Sequence, residues 1–313
     1  MRSKILIKKS RSNKVSAMKK YHDYMVRGTS VNEEVLCFAL TSKDLVQEAM
    51  KAHNLSPIPA AALGRSLSGA LLMAATLKGE KDTITLEFRG DGPLHSVVAQ
   101  ANSQGGVRGY TGNNYVDLPP NASMHLNVGG ALGKGTLTVI KDLHMKEPYS
   151  SSIALHSGEI AEDIAYYYVE SEQTMTGCGL GVLFEKDGTI KTAGGFLIQL
   201  LPNASEDTIK CLEESLVEIH NVTDVLLEEM TPEHLAEKVL GPLGFKKMGE
   251  KDISLFCTCS KEKSEKTLLT LGKDELLRLA NEAPTTTTHC EFCEKDYVFT
   301  SNELTNLANK CSK

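Results

Sequence analysis

The chain has 313 residues and a formal net charge of −6 at pH 7, enough for two modest domains or one large one with an appendage. Hydrophobic residues make up 41% and charged residues 24%, with no Trp, an ordinary globular composition. No apolar run approaches the ~18 residues of a membrane span, and the acidic balance argues against a general nucleic-acid binder, whose phosphate contacts need a basic surface.

The charge is uneven. Residues 1–22 carry eight basic groups (Arg2, Lys4, Lys8, Lys9, Arg11, Lys14, Lys19 and Lys20) and no acid, which leaves the rest of the chain at −14. Three readings of this tail stand open: a basic, acid-free transit peptide, an arm for a nucleic acid or membrane surface, or an extension ahead of a functional start at Met18. Ile5-Leu6-Ile7 is too short for a secretory core. We read residues 1–17 as a disordered extension.

From residue 18 to 203 the pattern mixes strands and helices. Val31–Ala39 reads as a buried strand, Ser42–His53 and Ala60–Leu77 as helices. The second helix places Gly64, Ser68 and Gly69 among Leu63, Leu67, Leu71 and Leu72, small residues that allow close packing. Thr83–Phe88 alternates with period two, a half-buried strand, and Asp91-Gly92 turns the chain. Gly135–Ile140 and Val182–Phe184 are further strands, and Lys186-Asp187-Gly188 is a hairpin turn into Thr189–Ala193. Strands do not alternate evenly with helices, so the fold class is α+β with a mainly antiparallel or mixed sheet.

Residues 204–256 read as a helical linker. Ser205 is an N-cap and Glu206-Asp207 suit a helix start. Ile209, Leu212, Leu216, Ile219, Val222 and Leu226 follow helical spacing, with Glu213, Glu214 and Glu218 opposite. Thr231-Pro232 opens a second helix and Gly241-Pro242 stops it. The apolar stripe packs on the core sheet at rest; a sharper reading has it released under some condition.

Residues 257–313 form a small module. Two helices are expected between Ser264 and Leu279, broken at Gly272, then Pro284 with four threonines as an extended strand or loop. Tyr297–Phe299 is a short strand and Ser301–Ala308 a closing helix. A unit this small depends on a staple.

That staple is legible. Cys257-Thr258-Cys259 and Cys290-Glu291-Phe292-Cys293 are two close pairs separated by 30 residues. Four thiolates in two pairs suit a tetrahedral structural Zn²⁺, each pair spanning one edge, although the first gap is one residue where zinc ribbons ordinarily use two. The scattered Cys37, Cys178, Cys211 and Cys311, without a signal peptide, point to a reducing cytosol. Other motifs fail on inspection. Gly133-Lys134-Gly135 lacks the Ser/Thr and upstream Gly of a phosphate loop. Gly64-Arg65-Ser66-Leu67-Ser68 lacks the second Gly of a nucleophile elbow. Cys290–Cys293 as a thiol oxidoreductase lacks the strand leading to a helix N-terminus. His289, beside Cys290, is an alternative ligand or a modulator of a thiol. No enzymatic constellation stands.

These blocks resemble a known family. Phe256–Lys263, Leu271–Leu276 and Cys290–Cys293 with Tyr297 and Phe299 are similar to the redox-regulated heat-shock holdase family called the 33 kDa chaperonin. So are Met25-Val26-Arg27, Gly135–Asp142, Ser157–Asp163 and Gly194–Pro202. The resemblance runs from Met18 to about Leu304. The Pro-Thr₄ stretch at 284–288 departs from it, being less acidic and apolar than the family's strand.

The resemblance implies a zinc-bound, inactive reduced form, with Cys257, Cys259, Cys290 and Cys293 as ligands. On oxidation Cys257 would pair with Cys259 and Cys290 with Cys293, zinc would leave, and the module would unfold. The loosened linker would bind unfolding client proteins, with Ile209, Leu212, Leu216, Ile219 and Leu226 as candidate contacts. The active form would be a cytoplasmic homodimer through the core that hands clients to ATP-dependent foldases. A disulfide closed across one residue is tight and readily reduced, which favours reversibility. The competing reading is a constitutive zinc-ribbon adaptor for a nucleic acid or translation partner.

Overall fold

The computed structural model describes residues 22–311; the extension 1–17 and a start at Met18 lie outside them. In chain order the elements are β1 (Tyr24–Ser30), β2 (Val35–Thr41), α1 (Lys43–Ala52), α2 (Pro57–Ala74), β3 (Thr83–Gly90), β4 (Ser96–Asn102), β5 (Gly106–Thr111), α3 (Val128–Leu132), β6 (Gly135–Asp142), β7 (Tyr149–Ala154), α4 (Ala161–Glu172), β8 (Thr176–Phe184) and β9 (Ile190–Leu200). There follow α5 (Glu206–Glu218), α6 (Val222–Glu228), α7 (Pro232–Leu240), β10 (Phe245–Asp252), β11 (Ser254–Leu255), α8 (Lys261–Leu269), α9 (Lys273–Glu282), β12 (Thr285–Cys290), β13 (Lys295–Thr300) and α10 (Ser301–Lys310).

Two sheets enclose α2. The first runs β10-β1-β2-β9-β8 and the second β11-β5-β4-β3-β6-β7. Pairing is antiparallel throughout except for β11 on β5. The expected α+β class holds. α2 touches strands of both sheets and is buried from Ile58 to Ala74 save Arg65, because a helix apolar on every side has no face to offer water. Its glycines serve close approach. A Cβ on Gly64 would lie 2.7 Å from Val46 Cγ1, and one on Gly69 would lie 2.5 Å from Ile164 Cδ1.

The strand read at Val31–Ala39 is shifted. Val31 is 66% exposed in the turn that joins β1 to β2, and Glu33 takes φ 59° there.

α5, α6 and α7 cover the outer face of the first sheet. Leu212, Val222, Val225, Leu226, Leu235 and Val239 pack on Val26, Cys37, Ala39, Phe196 and Ile198. Ser205 and Thr231 cap α5 and α7 by accepting from the Thr208 and His234 N–H groups. The stripe expected as one helix is two, interrupted at Ile219–Asn221, where the chain is non-helical.

Within residues 204–256, read as a helical linker, the stretch after the expected helix stop at Gly241-Pro242 is a strand. Helix ends by Leu243, and Phe245–Asp252 is an edge strand paired with β1. Its sequence, FKKMGEKD, is exposed almost throughout. It shows no period-two alternation because neither face is buried, and edge lysines of this kind discourage association with other chains.

The C-terminal residues form their own small core of Leu268, Leu276, Ala280, Phe299, Leu304, Leu307 and Ala308. Gly272, at φ 84°, breaks α8 from α9. The threonine run is a true strand, with Thr285 opposite Thr300 and Cys290 opposite Lys295.

Candidate metal centre

Each cysteine pair sits where a strand ends. β11 lies parallel to β5, with Ser254 opposite Gly106 and Leu255 opposite Val107. The Phe256 N–H then donates to the Val107 carbonyl at 2.8 Å. Ser260 caps α8 by accepting from the Lys263 N–H, so the loop Cys257-Thr258-Cys259 is held at both ends. Cys290 closes β12. The Cys293 and Glu294 N–H groups both donate to its carbonyl, at 3.2 and 2.8 Å, and Glu294, at φ 58°, turns the chain into β13.

This brings four sulfurs together. The Sγ atoms of Cys257, Cys259, Cys290 and Cys293 all lie within 4.8 Å of one another. Cys257 Sγ is 3.8 Å from Cys290 Sγ, and Cys259 Sγ is 3.3 Å from Cys293 Sγ. A tetrahedral site with metal–sulfur bonds of about 2.3 Å has edges of about 3.8 Å, so spacing and donor type fit an ion that favours thiolate. All four are free, half-buried thiols. Burial raises the Cys257 thiol, but hydrogen bonds from Cys259, Cys293 and Arg108 outweigh it and bring it to about 7. Burial and then Cys259 push Cys293 up to about 12. Four anionic sulfurs at this spacing repel one another, and a divalent cation held at their centre would let all of them be thiolates.

Outer partners complete the site. The Tyr297 hydroxyl donates to Cys259 Sγ at 3.1 Å, and Arg108 Nη1 reaches Cys257 Sγ at 3.8 Å. The Arg108 guanidinium lies 4.1 Å above the Phe292 ring, and Tyr110 meets that ring edge-on at 5.1 Å. His53, buried at the end of α1, hydrogen-bonds Glu294 Oε1 through Nδ1 at 2.8 Å. A crevice of about 330 Å³ opens beside these groups, lined in part by Cys259, Cys290, Arg108 and Phe292.

The sequence reading found the four cysteines and missed Arg108, Tyr110 and His53. No local pattern marks them, since Arg108 stands 149 positions from Cys257. His289 is placed elsewhere: its ring contacts Asp296 at 2.7 Å and Glu294 at 3.0 Å, outside the sulfur cluster. Of the candidate client contacts, Leu212 and Leu226 are buried against the first sheet. Leu216 and Ile219 are half-buried on the same cluster, and Ile209 is partly exposed.

Fold and site together define an α+β protein with a small four-cysteine module seated on a sheet edge. A sequence model described as Hsp33 protein matches residues 23–300. The 33 kDa chaperonin of Agathobacter rectalis is 43% identical over 285 residues, covering 91% of this chain and 99% of that one. The 33 kDa chaperonin of Caldanaerobacter subterraneus is 44% identical over 286 residues, covering 91% and 97%. The crystal structure of the 33 kDa chaperonin of Thermotoga maritima superposes with a TM-score of 0.85 at 35% identity, covering 94% of this chain and all of that one. The chain belongs to the Hsp33 family of chaperones.

Proposed function

We propose that the protein is a redox-regulated, ATP-independent holdase, inactive while its four cysteines hold Zn²⁺ and active once they are oxidised. The observation that carries the reading is the cluster itself: four free sulfurs within 4.8 Å, on a module with a core of seven buried residues. Bound Zn²⁺ supplies a crosslink between the two cysteine loops, worth roughly 10–16 kcal/mol in comparable small sites.

The chain's own residues do the rest. The crevice beside Cys259 and Cys290 admits a small oxidant. Each disulfide, Cys257–Cys259 and Cys290–Cys293, forms as two electrons pass to one peroxide, which leaves as two waters. Both bonds lie within a loop, so neither replaces the link between loops. The module then unfolds and loosens the strand and helices that precede it. The proposal divides the chain into a core (18–203) that dimerises, a linker (204–256) and a sensing module (257–313), with 1–17 apart. Clients are held on the stripe Ile209, Leu212, Leu216, Ile219 and Leu226 once it lifts from the first sheet, and pass to ATP-dependent foldases in the cytoplasm. Covering that face at rest is consistent with silence in the reduced state.

An aggregation assay with a thermally unfolding client tests the reading. Suppression should require peroxide with heat and should be reversed by thiol reductant. Equal suppression in both redox states, or none in either, would contradict it and favour a constitutive zinc-ribbon adaptor. Peptide mapping of the oxidised protein checks the pairing.

A further inference from the structure

We propose that Arg108 is the latch by which the core holds the C-terminal module, a positioning residue that sets how readily the module leaves while its cysteine site is still intact. The side chain is aimed from the core. Gln100 stands directly opposite Arg108 on β4 and accepts from both Nε (2.9 Å) and Nη2 (2.6 Å). Gln100 is itself fixed, donating to Thr85 Oγ1 opposite it on β3 at 2.9 Å. A cross-strand ladder of three side chains thus presents one remaining guanidinium nitrogen and one flat face to the module.

Both cysteine loops meet that presentation. Nη1 approaches Cys257 of the first loop, and the flat face covers Phe292 of the second. Tyr110, two residues along β5, closes on the other part of the ring. One core side chain therefore touches both loops, and it does so only while the cysteines keep them together. The rest of this contact is two paired positions of β11, backbone bonds from Ser254 to Gly105 (3.1 Å) and from Phe256 to Val107 (2.8 Å), Ile253 and Leu255 packed on the core, and the His53–Glu294 hydrogen bond. A half-buried guanidinium stacked on an aromatic face is the part of this interface that ties to both cysteine loops, and lysine cannot reproduce a planar fork that is both hydrogen-bonded and stacked.

The inference rests on the holdase reading only for its consequence, a lower oxidant dose for activation. Docking is read without a client, on the reduced, zinc-loaded full-length chain, by hydrogen exchange of segments 106–111 and 254–256 alongside zinc content. Arg108→Ala and Phe292→Leu should each raise exchange there about tenfold, with zinc still stoichiometric and α9 and α10 still protected. Phe292→Tyr should behave as the parent, and the double variant should lose less than the sum of the two single ones, because the stacking contact is shared. Unchanged exchange in both variants would overturn the proposal, as would a rise seen only together with zinc loss. Should Arg108→Ala not fold, Phe292→Leu leaves the core untouched and decides between the same two outcomes.

Discussion

Phe299 is fully buried at the centre of the C-terminal core, against Leu268, Leu276, Leu304 and Leu307, with Lys261 Nζ 5.0 Å from its ring. It is not a metal ligand, yet Phe299→Ala should weaken metal binding. Truncating a buried Phe costs about 3–5 kcal/mol. A core of this size rarely supplies more than about 3–5 kcal/mol by itself, so the substitution removes most of what the module contributes to its own folding. If the metal-free module is unfolded, folding and binding are one equilibrium, and the loss is subtracted from the apparent binding energy. At 1.4 kcal/mol per tenfold, a loss of 3–4 kcal/mol raises the apparent dissociation constant about 10²–10³-fold. Competition with a chromophoric chelator at pH 7 under reducing conditions measures it. A change within about threefold would refute the reasoning, because it would mean that the module folds without its metal.

Leu226 is fully buried and packs on Gly194 of the first sheet. Leu226→Ala should loosen α6 by about 2–5 kcal/mol and let the reduced protein suppress client aggregation at a lower temperature than the parent; light scattering checks this. Tyr297→Phe removes the hydroxyl that donates to Cys259 and should cost about 10–100-fold in metal affinity, with the circular dichroism of the loaded form unchanged. Burial raises the Glu172 carboxyl, but hydrogen bonds from Lys141 and Tyr167 outweigh it and hold it below the usual carboxylate range. Its contribution to stability is thus full above the unfolded value of about 4.3 and is lost as pH falls through the lower, folded one. Glu172→Gln should therefore flatten the drop in melting temperature between about pH 5 and pH 3; an unchanged slope would remove Glu172 from the acid response.

The cysteine cluster was legible because its chemistry is local: each pair lies within four residues, and only the closing of the chain between them needed the fold. The capped helices were legible for the same reason, as at Ser205, Thr231 and Gly272. β10 was not, because an edge strand exposed on both faces has no burial pattern to print in its sequence. β11 was not, because two residues carry no period. Arg108 and Gln100 lie on β5 and β4, strands the sequence reading did not assign, and only the register that sets them side by side at the docked edge gives them a role.

The most direct test of the account follows zinc and thiols in one preparation. The reduced protein should carry one Zn²⁺ per chain. Peroxide with heat should release it to a metallochromic dye as titratable thiols fall from eight to four, with suppression of client aggregation appearing over the same course. Zinc retained after oxidation, or chaperone activity that rises without zinc release, would contradict it.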